Sequence, residues 1–304
     1  MEGTHKHVRR ARADVIYDTI IFIILTFLFL IVAYPLYFVI ISSISDPIAV
    51  SAGKVVFAPV GFTLDGYKEV FKTKTVVRGF LNSLVITVMG TSINLLVTIP
   101  TSYALSRPDF TLKRPITLFY ILTMFVGGGM MPTYVVVRNT GLLNTWWALV
   151  LPGCLGVYNM IVARTFFKTN IPLELMEAAK LDGCGNTKFF LYVVLPLSGA
   201  ITAILCLYYG VGHWNSYFSA LIYIQKRELW PLQLELRNIL VLNSNVMTRQ
   251  VMTEEELLEK RRLDALKEMM KYSLIIISSI PVLIIYPFVQ KHFVKGVMIG
   301  SVKG

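Results

Sequence analysis

Side chains able to do chemistry are few in this chain and poorly spaced for it. The four histidines, His5, His7, His213 and His292, enter no HExxH motif, and the three cysteines, Cys154, Cys184 and Cys206, no CxxC pair. A zinc protease and a metal ribbon are therefore unsupported. No GxxxxGK[ST] stretch occurs, so no phosphate-cradling loop binds ATP on this chain. One polar segment is built for contact instead, running from Thr169 through Pro172, Glu177-Ala178-Ala179, Asp182-Gly183-Cys184-Gly185 to Lys188. Pro172 suits a first helical turn, and Glu174 opposes the positive end of the helix dipole. Gly183 and Gly185 supply a left-handed stop. Asn186 caps a second helix that continues through Phe189 and Phe190 to Leu195-Pro196. Ala178 and Ala179 leave one flank without bulk, so a partner can approach closely.

The elements that position this segment are apolar. Of 304 residues, 55% are hydrophobic and only 15% charged, against about 25% charged in a soluble domain. No Asp, Glu, Lys or Arg occurs in 19–45, 79–106, 115–137, 139–163, 189–225 or 272–290. About 20 apolar residues carry a helix across the hydrocarbon core, and only a helix or a closed barrel satisfies its own backbone there. Alternating ten-residue strands are absent. The expectation is an all-α integral membrane protein with six transmembrane helices, at about 19–42, 80–105, 115–137, 145–165, 190–214 and 272–291. The net charge of +11 comes from bases flanking the apolar runs, which reads as contact with anionic lipid rather than nucleic acid. The cysteines suggest small buried thiols, not a disulfide framework.

Residues 1–16 form a basic arm, with Lys6, Arg9, Arg10 and Arg12 ahead of an apolar run too long for a signal peptide. The arm is expected in the cytoplasm, and six crossings return the 297–304 tail to the same side. Lys and Arg divide almost evenly across the membrane, 14 inside and 15 outside. The short loop Arg107 to Arg114 is dense in base, and short loops weigh most in orientation. The contact segment, 170–188, is then cytoplasmic, and loops after helices 1 and 5 are extracytoplasmic. The second of these, 218–271, contains Thr253-Glu254-Glu255-Glu256, a capping box opening a helix over 257–270 that runs into the last span. That helix reads either as a solvated extension or as a docking surface for an external partner.

A translocation path through such helices is lined by neutral polar and aromatic groups, which suit sugar hydroxyls and ring faces. Candidates are Asn82, Asn94, Thr123, Asn159, Tyr209, Trp214 and Asn215. Each type also serves as interhelical glue or interface anchor. The run Gly127-Gly128-Gly129 reads as a packing or bending site. A secondary carrier coupled to protons or sodium is the alternative; such carriers place costly ionisable groups inside their spans, where this chain has no Asp, Glu, Lys or Arg.

The pattern of Pro172, Glu177-Ala178-Ala179, Asp182-Gly183 and Leu195-Pro196, between spans four and five, resembles the EAA loop of ABC importer permeases. Tyr103-Ala104-Leu105-Ser106-Arg107, Gly128-Gly129-Met130-Met131-Pro132-Thr133-Tyr134 and Trp214-Asn215 are similar to the carbohydrate-uptake permeases, the family of the maltose permease pair. The ending, Tyr286-Pro287-Phe288 to Lys303-Gly304, resembles its branch for oligosaccharides and polysaccharide fragments. The resemblance spans nearly the whole chain and departs at Cys184, where a small residue such as Ala is more usual. It implies a type I importer permease fold in a bacterial cell membrane, without catalysis on this chain. Implied partners are a second permease forming a heterodimer, two ATPase subunits that bind ATP and Mg, and an extracytoplasmic solute-binding protein. Glu177, Ala178, Ala179, Asp182 and Gly183 would couple to the ATPase, with Glu177 facing a basic residue and Gly183 giving the turn that seats the helix.

Overall fold

A computed structural model describes residues 12–242 and 254–301. The basic arm up to Ala11, Thr253 of the capping box and the last three residues lie outside them. Among the described residues all regular structure is helical: α1 (Arg12–Ser43), α2 (Pro47–Ser51), α3 (Asp65–Lys72), α4 (Lys74–Ser106), α5 (Lys113–Phe125), α6 (Met130–Asn139), α7 (Trp147–Val150), α8 (Val157–Asn170), α9 (Leu173–Leu181), α10 (Asn186–Phe189), α11 (Leu195–Leu197), α12 (Gly199–Trp214), α13 (Tyr217–Tyr223), α14 (Leu232–Leu242) and α15 (Glu254–Ser301). The chain divides into two compact units, one of residues 1–70 with 249–276, the other of 71–248 with 277–304.

The first unit is built on α1, whose apolar stretch Asp14–Ser43 is long enough to cross a membrane and buries no residue in its most apolar window. Only its C-terminal end finds a core, where Ile41 packs with Ala49, Val50 and Val55 against Phe38 and Tyr272. Asp46 caps α2 by accepting from the Ile48 and Ala49 amides at 2.9 and 3.0 Å, satisfying donors that the first turn leaves open. Gly66 lets α3 lie against α15: a Cβ there would meet Ser273 Oγ at 2.6 Å.

The second unit is organised around α4, against which α8, α12 and α14 pack. One core cluster joins Ile99 and Tyr103 of α4 to Phe167, Met176, Phe189 and Leu205. Another joins Ile86 to Val137, Leu149, Tyr223 and Leu234. Leu232 approaches so closely that a Cβ on Gly79 would lie 3.3 Å from its Cα, and its amide donates to Ser83 Oγ at 2.8 Å.

Three helices, Asp14–Ser43, Lys74–Ser106 and Asp264–Pro287, are continuous and apolar enough to cross a membrane. Each of the remaining three apolar intervals is a pair of helices bent at a short break. α5 and α6 diverge by 114° across Gly127-Gly128-Gly129, with Gly129 at φ +82°, a conformation that costs glycine little. Nothing lies within 4 Å of a Cβ on Gly127 or Gly129, so the run bends the chain rather than packing it. Cys154-Leu155-Gly156 separates Trp147–Gly153 from α8 at 53°. Asn186–Leu197 meets α12 at 77°, after a wide turn over Phe190–Val194 and Pro196. At the end of that piece the Leu195 carbonyl accepts from both the Ser198 amide at 3.2 Å and Ser198 Oγ at 2.7 Å.

Candidate functional site

The contact segment forms a short helix, α9, with Pro172 at its N-cap and Asp182 at its C-cap. Gly183 lies at φ +72°, and the Cys184 amide donates to the Ala179 carbonyl at 2.8 Å, closing the helix with the left-handed turn that glycine permits. Gly185 is at φ −69°, so the stop is made by Gly183 alone. Asn186 is also corrected: Gly185 holds the N-cap position of α10 with no side-chain cap. Asn186 Oδ1 accepts from Arg107 Nη2 at 3.4 Å.

α9 buries one face through one side chain. Met176 enters the cluster with Phe167 and Phe189, and Ala179 packs at its edge. Glu177, Ala178 and Asp182 face outward. Leu181 is 90% exposed.

A charge cluster fixes this helix to the end of α4. Arg107 is buried, bonds Asp109 through Nε and Nη2 at 2.8 and 2.5 Å, and donates from Nη1 to Tyr103 OH at 2.9 Å. Lys180 of α9 reaches the same Asp109 carboxylate at 3.5 Å. The bidentate guanidinium, with Lys180 adding to it, holds the Asp109 carboxyl down at about 2, and Asp109 pushes Arg107 above its ordinary value. Sequence reading assigned no role to Asp109. Its signal was a lone acid among the bases of the 107–114 loop.

The candidates for the translocation path fall into two groups. Four are buried and hydrogen-bonded. Asn82 donates to the Glu228 and Trp230 carbonyls at 2.8 and 2.9 Å. Asn94, fully buried, donates to the Gly153 and Cys154 carbonyls at 3.0 and 2.8 Å, satisfying backbone freed by the break before α8. Tyr209 shares a 2.7 Å bond with Thr98 and accepts from the Gly156 amide at 3.1 Å. Trp214 donates to the Ser278 carbonyl at 2.8 Å and meets Phe80 edge-on at 5.6 Å. The other three are more open. Thr123 bonds only its own helix, at Tyr120 O. Asn215 donates to Val211 O and accepts from Gln233. Asn159 is half-buried, with no hydrogen bond among the described residues.

The structure brings Asn94 and Tyr209 together around the Gly153–Gly156 break and adds His213, which sequence reading passed over in counting only full charges. His213 Nε2 lies 2.6 Å from Asn94 Oδ1. The two carbonyls bonded by Asn94 Nδ2 fix which end of the amide is oxygen, so Nε2 of His213 carries the proton. Gly90 makes room for this ring: a Cβ there would sit 2.5–2.6 Å from it.

No protein-family model matches the chain. It is 36% identical over 290 residues to the polygalacturonan/rhamnogalacturonan transport system permease protein YtcP of Bacillus subtilis (strain 168), covering 95% of this chain and 99% of the relative. Protein LplC of the same organism is 38% identical over 276 residues, 89% of each chain. In three dimensions the chain is similar to one from a bacterial ABC transporter involved in the import of the acidic polysaccharide alginate. The TM-score is 0.84 at 28% identity, over 94% of this chain and 99% of that one. Permeases of this kind are the membrane subunits of their transporters and carry no catalysis. With the short exposed loop helix, the broken apolar helices and near full-length identity, the chain belongs to the permease subunits of ABC importers for sugars and oligosaccharides.

Proposed function

We propose that this chain pairs with a second permease to form the membrane pathway for an oligosaccharide or polysaccharide fragment. An extracytoplasmic binding protein delivers the substrate, and two ATPase subunits that bind ATP and Mg drive the cycle. The three continuous apolar helices and three bent pairs act as six crossings, with both termini and the 170–188 loop in the cytoplasm. The loops after helices 1 and 5, the second spanning 218–271, face outward. The reading extends the printed substrates of YtcP and the alginate transporter, polygalacturonan, rhamnogalacturonan and alginate, to a related carbohydrate.

One observation carries it: α9 is nine residues long, below the length at which a helix is stable alone in water, yet it presents Glu177 and Leu181 outward. Such a helix is completed by a partner. Glu177 meets a basic residue of the ATPase, Ala178 and Ala179 allow close approach, and Asp182 with Gly183 sets the angle. On the path, Asn159, Thr123 and Asn215 meet substrate hydroxyls. Asn82, Asn94, Tyr209 and Trp214 hold the helices that shape it.

Reconstitution tests the proposal. Vesicles holding this chain with the second permease, ATPases and binding protein should show ATP-dependent uptake, and vesicles of this chain alone should show neither hydrolysis nor uptake. Proton-driven uptake by the chain alone would instead mark a secondary carrier. In the same vesicles, labelling of the 254–267 segment only from the ATPase side would refute the orientation.

A further inference from the structure

Beside the coupling loop, but not used by it, lies a cavity of about 430 Å³ at the meeting of the α4 end, the α5 start, the α8 end and α9. Five cations line it, Arg107, Lys113, Arg114, Arg164 and Lys168, and no Asp or Glu is among its described lining residues. The cations are unequally occupied. Arg107 is committed to Asp109 and Tyr103, and Lys113 Nζ donates to the Arg107 and Pro108 carbonyls. Arg164 donates from Nε to the Leu105 carbonyl at 2.9 Å, which aims its guanidinium and leaves both terminal amino groups unbonded among the described residues. Arg114 and Lys168 make no hydrogen bond or ion pair among the described residues. Phe167 and Met176 supply an apolar wall.

We propose that this cavity binds a phosphate group, held by Arg114, Arg164 and Lys168. Three unspent cations lining one cleft, with no carboxylate among its described lining residues, match a tetrahedral anion, since guanidinium donors fit phosphate oxygens in pairs. Two sources carry that group: the headgroup of an anionic phospholipid and inorganic phosphate in solution. The volume exceeds that of a bare phosphate, and the apolar wall suits a glycerol stem and the start of an acyl chain, which favours the lipid. Pro172 and Leu173 at the head of α9 also line the cavity, so a bound phosphate braces the loop from behind. The site stands whether or not α9 couples to an ATPase.

Native mass spectrometry of the full chain in micelles with equal phosphatidylglycerol and phosphatidylcholine tests it. Phosphatidylglycerol should be retained in preference. Arg114→Gln with Lys168→Gln should lower its retention roughly 25-fold, each basic side chain facing an anionic lipid contributing a factor of about five. Arg114→Lys with Lys168→Arg keeps both charges on exposed side chains and should restore it. Arg78→Gln near the start of α4 with Lys226→Gln after α13, the same charge loss away from the cavity lining, should leave it unchanged. Displacement of the lipid by inorganic phosphate supports the site with phosphate from solution as its second source; no displacement supports the lipid alone. Equal retention of the two phospholipids, or equal loss in both double glutamine variants, overturns the proposal.

Discussion

Gly183 aims the loop. Its φ of +72° lies where a side chain strains the backbone, and nothing within 4 Å would obstruct a Cβ, so the penalty for replacement is conformational alone. Gly183→Val should cost about 1–2 kcal/mol and misdirect α9, reducing capture of the ATPase while the permease still accumulates in the membrane. Gly183→Asn, which tolerates the left-handed region, and Gly185→Ala should retain capture. Co-purification of the ATPase with each variant measures this. The sequence marked both glycines as stops, because residue type reveals which conformations are permitted and not which is used. His213 was hidden for a related reason. Its value depends on Asn94, 119 positions earlier, and no local pattern reports a partner so distant.

At the scale of elements, the position of α9 rests on two attachments, Met176 in the core and Asp109 between Arg107 and Lys180. Asp109→Asn removes the second and should raise amide exchange over Leu173–Leu181 without disturbing α4. Pairing lowers the folded pKa of Asp109 from 3.8 to about 2. Its stabilising contribution is therefore complete above the ordinary carboxylate range and lost as pH falls towards about 2. Protection of α9 in the unaltered chain should be constant from neutral pH down to that range. Protection that already declines near neutrality would assign the attachment to another group. The helix–turn–helix of this loop was legible because proline, glycine and charge act locally. Of the three breaks only Gly127-Gly128-Gly129 was marked, as a packing or bending site, since charge-free length carries no information on direction. Gly127-Gly128-Gly129, Cys154-Leu155-Gly156 and the stretch around Pro196 each redirect an interval without adding a charge to it.

At the scale of the whole molecule, the apolar intervals made the helical class legible, while the number of crossings depends on treating each bent pair as one. The α1 window buries nothing within its own unit, and α9 buries one side chain, Met176, which leaves surface for the proposed partner subunits to cover. The proposed six crossings and cytoplasmic termini put α9 on the side of the membrane where an ATPase would meet it. The most direct test is Glu177→Lys, assayed by co-purification of the ATPase subunits and by uptake. The side chain is exposed and lies in no apolar interval, so insertion should be unchanged. Reversing a charge against a basic groove should cost about 2–5 kcal/mol once that contact is desolvated, enough to abolish co-purification and transport together. Full assembly and full uptake by Glu177→Lys would contradict the account, because α9 would then not be the element through which the ATPase drives the permease.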